Sequence, residues 1–264
     1  MLETSGTRSS STPLTNVLRM NLKQFLFGTT LAIALQLHAF AQTNAPAPHQ
    51  NSAIIPVPRT GSATNRQALV LQRAKDGPGD YDIEFIGDSI TQGWETRGSN
   101  VWREFYGNRK VINMGVGGDR TQHVLWRFEQ GQLDGIKARV AEVMIGTNNS
   151  NKDDNTEADI LEGVTAIVQQ IRTRQPDTKI LLLGIFPRGK TFSTQRGKIL
   201  QVNQALAKLD DGSHIFYLDF GSQLIESDGS IARSMMADAL HPGDAGYRIW
   251  ANATEAKLKQ LLGQ

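Results

Sequence analysis

The sequence predicts an α/β fold, a three-layer α/β/α sandwich around a five-stranded parallel sheet, on three observations. Five short apolar runs recur along the chain, segments of helical apolar periodicity separate them, and each run is apolar nearly throughout rather than alternating. Continuous runs suit strands covered on both faces, the condition of a parallel sheet. Strands that alternate with helices of this length make crossover units, hence the layered sandwich.

The first segment differs in kind. Arg19-Met20-Asn21-Leu22-Lys23 leads into the mostly apolar stretch from Phe25 to Leu37, and Ala39-Phe40-Ala41 follows. A basic start, an apolar middle and small residues at the end read as a secretory signal over 1–41, cut before Gln42, with Met20 as an alternative start. The apolar stretch is too short to span a bilayer, so no stable membrane anchor is expected after cleavage, and the chain is expected to be exported. Residues 42–60 hold four of the nine prolines and no period, the composition of a linker or of an arm laid over the surface. The folded domain is therefore expected over 61–264.

Within it, Asn65 to Asp76 has helix-forming composition and Gly77-Pro78-Gly79 ends it. Ile83-Glu84-Phe85-Ile86 is the first strand, stopped by Gly87. Lys110 to Met114, Val140 to Ile145, Lys179 to Ile185 and His214 to Leu218 are the other four. Thr156 with Asp159 matches a capping box. Ile160, Val164, Ile167, Val168 and Ile171 then form one apolar face that ends before Pro176. Ile199, Val202, Leu206 and Leu209 make the next helix, and Tyr247, Trp250, Ala251, Thr254, Leu258 and Leu261 the closing one. Glu142, inside a strand that should be buried, does not fit this pattern.

Composition excludes several functions. Without residues 1–41 the chain holds 25 basic and 25 acidic residues, and no Lys/Arg stripe with interleaved aromatics points to nucleic acid. Zero cysteines remove disulfides and thiolate metal sites.

Candidate chemistry begins where the first strand stops. Ser89, in Gly87-Asp88-Ser89-Ile90, sits at a strand-to-helix turn on the carboxyl edge of the sheet, where open α/β folds place their sites. A helix N-terminus there favours an oxyanion. Such a serine is either an N-cap or a nucleophile. Asn113-Met114-Gly115-Val116-Gly117-Gly118-Asp119 follows the second strand and fails the dinucleotide fingerprint, because Arg120 occupies its last glycine position. Its glycines let a backbone N–H approach a ligand closely. Gly146-Thr147-Asn148-Asn149 ends the third strand at the same edge, and an asparagine there can donate an N–H to an oxyanion. Taken alone, each loop reads first as an ordinary strand-to-helix turn. Asp238 and His241, in Asp238-Ala239-Leu240-His241-Pro242, can turn toward one site as an acid and a base. The other histidines offer less: His38 lies in the signal, His49 in the arm, His123 on a helix and His214 at a strand start.

Gly-Asp-Ser-Ile, Asn-x-Gly-x-x-Gly, Gly-Thr-Asn-Asn and Asp-x-x-His, in this order, resemble the four blocks of the SGNH or GDSL hydrolases. Gly117 to Arg127, Arg172 to Pro176, Leu183 to Gly189 and Ser227 to Ile231 look like the subgroup formed by the catalytic subunits of intracellular platelet-activating-factor acetylhydrolase. The resemblance runs from about Tyr81 to the C-terminus, with Ile90 where the family name has Leu, and with an export signal that the cytosolic animal enzymes lack. It implies a flavodoxin-like fold and a serine esterase for short-chain, acetyl-type esters. Ser89 would be the nucleophile, His241 the base and Asp238 the acid behind it. Ser89 N–H, Gly118 N–H and the Asn148 side chain would form the oxyanion hole, and Ile90, Thr147 and Leu240 would wall the acyl pocket. The resemblance implies no metal and no cofactor; the substrate would be a small-molecule or glycan ester, and by fold analogy the chain could form a homodimer. An ordinary α/β-hydrolase fits less well, since Thr91 stands where Gly-x-Ser-x-Gly needs its last glycine. A non-catalytic carbohydrate- or lipid-binding module on the same fold is the alternative function, and it would need neither the serine nor the Asp-His pair.

Overall fold

Ile83, Phe85 and Ile86 are fully buried, as an interior strand with no solvent-facing register requires. In the computed structural model, which describes residues 49–152 and 154–264, this run belongs to β1 (Gly79–Gly87). It follows α1 (Ala63–Asp76) and leads into the one-turn helix α2 (Ser89–Gln92) and then α3 (Ser99–Tyr106). β2 (Val111–Asn113), α4 (Thr121–Glu129), β3 (Ile136–Met144), α5 (Glu157–Arg174), β4 (Lys179–Leu183), α6 (Thr194–Leu206), β5 (Ile215–Leu218) and α7 (Asp244–Leu262) complete the order. The expected signal over 1–41 and the first residues of the arm lie outside the described residues.

All five strands are parallel, in the order β2-β1-β3-β4-β5. The chain turns outward from β1 to β2 and then crosses to β3 on the other side, so β1 and β3 flank the switch point where such sheets hold ligands. Register pairs Gly87 with Met144, which ends the two strands side by side.

Alternation along the strands sorts the core into two layers. Ile83, Phe85, Val140, Met144, Leu181 and Leu183 face α3 and α7. Ile86, Ala141, Val143, Ile180 and Leu182 face α4, α5 and α6. The first layer is aromatic: Trp94, just beyond α2, lies 4.5 Å from Tyr247 and 5.0 Å from Trp250 between ring centroids. The expected capping box is present, with Asp159 N–H donating to Thr156 Oγ1 at 3.1 Å and Thr156 N–H to Asp159 Oδ2 at 2.8 Å.

Three features differ from the sequence expectation. β3 starts at Ile136, because Ile136 and Ala138, either side of exposed Lys137, pair with Gly79 and Tyr81 of β1 and are buried with Val70 and Ala74 of α1. α3 was not expected, although Val101, Trp102, Phe105 and Tyr106 recur at helical spacing; its N-terminal Gly98 offers no side-chain cap to announce it. The compact unit begins at Asn51, ten residues before the boundary that composition suggests. Ala53 is fully buried, and its carbonyl accepts from Thr121 Oγ1 at 2.7 Å. Asn51 Nδ2 donates to Glu162 Oε2 at 2.7 Å, and Asn155 Nδ2 to Ser52 Oγ at 3.0 Å. Contacts of this kind leave the proline-rich composition unchanged, so it does not report them. Among the described residues no helix is long and apolar enough to cross a membrane.

Glu142 has a structural explanation. It points into the aromatic layer and its Oε1 accepts from Trp250 Nε1 at 2.7 Å, which fixes α7 on β3. Burial pushes its pKa up to about 8 from the usual 4.5, against the opposing hydrogen bond from Trp250, so it is protonated at neutral pH. The folded chain thus keeps a proton that the unfolded chain loses above pH 4.5. Stability therefore falls as pH rises from 4.5 to about 8. Glu142→Gln keeps the acceptor and removes this dependence. Urea titrations should show the variant gaining on the order of 3 kcal/mol relative to the parent between pH 5 and pH 8.

Candidate active site

The end of β1 is crowded. A side chain at Gly87 would collide with the Met144 carbonyl and the Thr91 side chain, so only glycine lets β1 and β3 close this tightly. Asp88 caps α2, its Oδ1 accepting from Ile90 N–H at 2.9 Å. That leaves Ser89 as the first residue of the helix, half-buried at the sheet edge. Of the two roles the sequence left open for Ser89, N-cap or nucleophile, the first is taken by Asp88.

Ser89 Oγ lies 2.8 Å from His241 Nε2, and His241 Nδ1 lies 2.8 Å from Asp238 Oδ2. The turn that makes this possible is tight. Ala239 adopts a left-handed φ of +56°, and Asp238 Oδ1 accepts from the backbone N–H of Leu240 at 3.1 Å and of His241 at 2.8 Å. Burial alone would raise the Asp238 pKa. The backbone and ring donors of His241 and the Leu240 N–H outweigh it and hold the carboxyl down to about 2. An ionised carboxylate only accepts, so the shared proton sits on Nδ1 and leaves the Nε2 lone pair toward the Ser89 hydroxyl. A hydroxyl so placed can lose its proton to the ring as it attacks.

The second and third loops meet beside it. Gly118 has φ +72°, a conformation that suits glycine. Gln92 Oε1 accepts from Gly117 N–H at 2.8 Å, and Asn113 bridges Gly115 N–H at 2.8 Å and the Thr91 carbonyl at 2.9 Å. Asn148 Nδ2 donates to the Asp119 carbonyl at 2.8 Å and stands 3.5 Å from Asp88 Oδ2. One of its two N–H groups is thus engaged, and the other meets only a long contact. The Ser89 and Gly118 N–H groups lack a backbone acceptor among the described residues, and donors free in this way are what an oxyanion requires.

Asp119 anchors this loop from below. Its carboxylate pairs with Arg127, both side chains wholly buried, and Arg127 Nε donates to Gln132 Oε1 at 2.6 Å. Asn149 ties the next layer, accepting from Thr121 N–H at 3.0 Å and donating to Asn155 Oδ1 at 3.0 Å.

Of the expected acyl-pocket residues, Ile90 belongs to the aromatic-side core and Leu240 packs against that same cluster. Thr147 is buried apart from it and accepts from Arg188 Nη1 through its carbonyl at 3.0 Å and its Oγ1 at 3.3 Å. Arg188 was not singled out from sequence. Burial lowers its pKa, and the charges of Asp88 and Asp238 oppose that shift. Gln92 was also missed, although it lies three residues beyond Ser89 on the same helical turn. His123 caps α4, its Nδ1 accepting from Arg120 N–H at 2.9 Å, and burial with Arg59 and Arg120 nearby lowers its pKa to about 4. An apolar cleft of about 330 Å³ opens elsewhere, under Phe192, Leu200 and Ile225, and none of the predicted site residues lines it. Among the described residues no group of three His, Cys, Asp or Glu is placed to hold a metal.

Residues 85–249 match the model of the GDSL-like lipase/acylhydrolase family. The chain is 39% identical over 182 residues to the platelet-activating factor acetylhydrolase IB subunit alpha2 of Homo sapiens, covering 69% of this chain and 77% of that protein. Among solved structures it resembles a GDSL-like lipase from Bacteroides thetaiotaomicron, with TM-score 0.57 and 18% identity over 74% of this chain and 95% of that one. It also resembles the acetylxylan esterase Axe2 of Geobacillus stearothermophilus, with TM-score 0.54 and 19% identity over 70% and 94%.

The buried ion pair generates a stability test. Asp119→Ala leaves the Arg127 guanidinium in the core without its carboxylate, which should cost about 3–5 kcal/mol in denaturant unfolding.

Proposed function

The chain belongs to the GDSL-like lipase/acylhydrolase family and is a carboxylic ester hydrolase, and on that premise we propose that it removes short acyl groups, acetyl above all, through an acyl-enzyme on Ser89. The observation that carries this reading is the chain of two 2.8 Å contacts from Ser89 Oγ through His241 to Asp238. His241 Nε2 takes the Ser89 proton as Oγ bonds to the acyl carbon. The carbonyl oxygen gains negative charge against Ser89 N–H, Gly118 N–H and the uncommitted N–H of Asn148. The intermediate collapses, the imidazolium protonates the departing alcohol, and the acyl group stays on Ser89. Water in the place the alcohol vacated, deprotonated by His241, then adds to the acyl carbon, and collapse returns the imidazolium proton to Ser89 Oγ and releases the acid. Asp238 stabilises the imidazolium in both halves.

The short acyl preference rests on the resemblance, which puts Ile90, Thr147 and Leu240 around the acyl group. Ile90 is buried, Thr147 is occupied by Arg188, and Leu240 is only partly covered, so Leu240 is the wall that can yield. The acetylhydrolase activity in the name of the Homo sapiens relative supports the same choice. The alcohol is a glycan, a short-chain phospholipid or a small ester. Residues 1–41 are read as an export signal, and sequencing of the processed protein should begin at Gln42.

Screening acetylated glycans against short-chain acetyl phospholipids, with Ser89→Ala as the control, tests the activity. Ser89→Ala should lose acetyl-ester turnover and labelling by an organophosphonate, and near-parent rates would sink the assignment. Asn148→Ala should lower turnover on the order of a hundredfold to a thousandfold. Leu240→Ala should move the chain-length profile toward longer acyl groups, and an unchanged profile would count against Leu240 as a wall.

A further inference from the structure

Arg59, in the segment that composition marks as a linker, reaches the loop of Gly118. A methyl group built on Gly118 would stand 2.8 Å from Arg59 Nη2, 3.5 Å from Cζ and 3.8 Å from Nη1, so the guanidinium lies against that glycine. Its backbone is fixed there. Arg59 N–H donates to Gln67 Oε1 at 2.8 Å, and Val57 N–H to the Gln122 carbonyl at 3.3 Å. The side chain is 24% exposed, and its Nε meets Asp119 Oδ1 at 3.6 Å, an ion pair too long for a hydrogen bond. Among the described residues neither Nη group has a hydrogen-bond acceptor.

The local charge does not balance. Asp119 already neutralises Arg127 through its other oxygen, and Arg120 is matched by Asp154 at 2.6 Å. Two guanidinium groups share the single Asp119 carboxylate, which leaves one positive charge beside the predicted oxyanion hole. Burial and the neighbouring Arg120 both lower the Arg59 pKa, as expected for a cation whose charge is not compensated. A planar fork with two unused donor edges recognises a carboxylate or phosphate in two-point fashion.

We propose that Arg59 is a specificity-determining residue that receives an anionic group, carboxylate or phosphate, on the alcohol part of the ester. The inference rests on the esterase reading above. An acetyl group carries no charge, so a group that meets Arg59 must belong to the alcohol.

The test compares phenyl acetate with its 4-carboxy and 4-phosphate counterparts in the parent, Arg59→Gln and Arg59→Lys proteins. Arg59→Gln should lower the ratio of kcat/KM for an anionic ester to that for the neutral one by about tenfold or more. Arg59→Lys should retain part of the ratio, and added salt should narrow the difference. The better of the two anionic esters identifies the anion. A ratio that stays at the parent value, even with slower turnover of all three esters, would make Arg59 a structural clamp and overturn the proposal. Failure of the esterase reading looks different: no Ser89-dependent hydrolysis of any of the three.

Discussion

Asp119 is the residue on which the site depends. Its carboxylate holds buried Arg127, its carbonyl accepts from Asn148 Nδ2 at 2.8 Å, and it directly follows Gly118. A single residue therefore joins the loop after β2, the loop after β3 and the helix α4 that carries Arg127. A lone guanidinium in that position would be a large desolvation cost, and a lone carboxylate would be another. Paired, they set the Gly118 N–H and the Asn148 amide relative to each other without either having to be positioned by water. Arg59 adds a fourth element, the N-terminal arm, to the same hub.

The sheet supplies the frame around that hub. Because β1 and β3 are neighbours whose last residues pair, the turn after β1 and the loop after β3 cannot separate by more than a strand spacing. His241 has to be brought from the far end of the chain, and the aromatic layer does this. Tyr247 OH donates to the Ile90 carbonyl at 2.6 Å, one residue beyond Ser89, while Trp250 is bonded to Glu142 on β3. The closing helix is thus fixed to the turn after β1 and to β3, and the loop before it delivers His241 to Ser89.

Most of this frame was legible in the sequence, because parallel strands and amphipathic helices write their burial into hydrophobic period. Loops at one edge followed from reading the strands as parallel, and the four short blocks named Ser89, Gly118, Asn148, Asp238 and His241 as candidates. What stayed hidden depends on reach rather than on period. Arg59 and Gly118 lie far apart in the chain, and an arginine among prolines carries no sign of its partner. Arg188 sits within a recognisable block, but its hydrogen bonds to Thr147 exist only once β3 and β4 are adjacent. Glu142 looked like an error in a strand until Trp250 stood opposite it. α3 was not expected, because it is short and uncapped, and such helices are held by packing rather than by their own sequence.

The two aspartates of the site show how environment, rather than residue type, assigns a role. Asp88 is wholly buried, and desolvation raises it to about 7 in spite of the Ile90 N–H and the Arg188 charge. Asp238 is half exposed and takes hydrogen bonds from the Leu240 backbone and from the backbone and ring of His241; it is held down to about 2. Only Asp238 therefore carries a full charge across the neutral range, and only a full charge keeps the proton on His241 Nδ1 and stabilises the ring when it becomes positive. Asp88 can cap α2 through Oδ1 in either protonation state, since a protonated carboxyl still has an acceptor oxygen. A buried charge beside the serine would oppose a developing oxyanion, and the burial that raises Asp88 weakens that opposition. The same physical rule thus gives one acid to the histidine and takes the charge from the other.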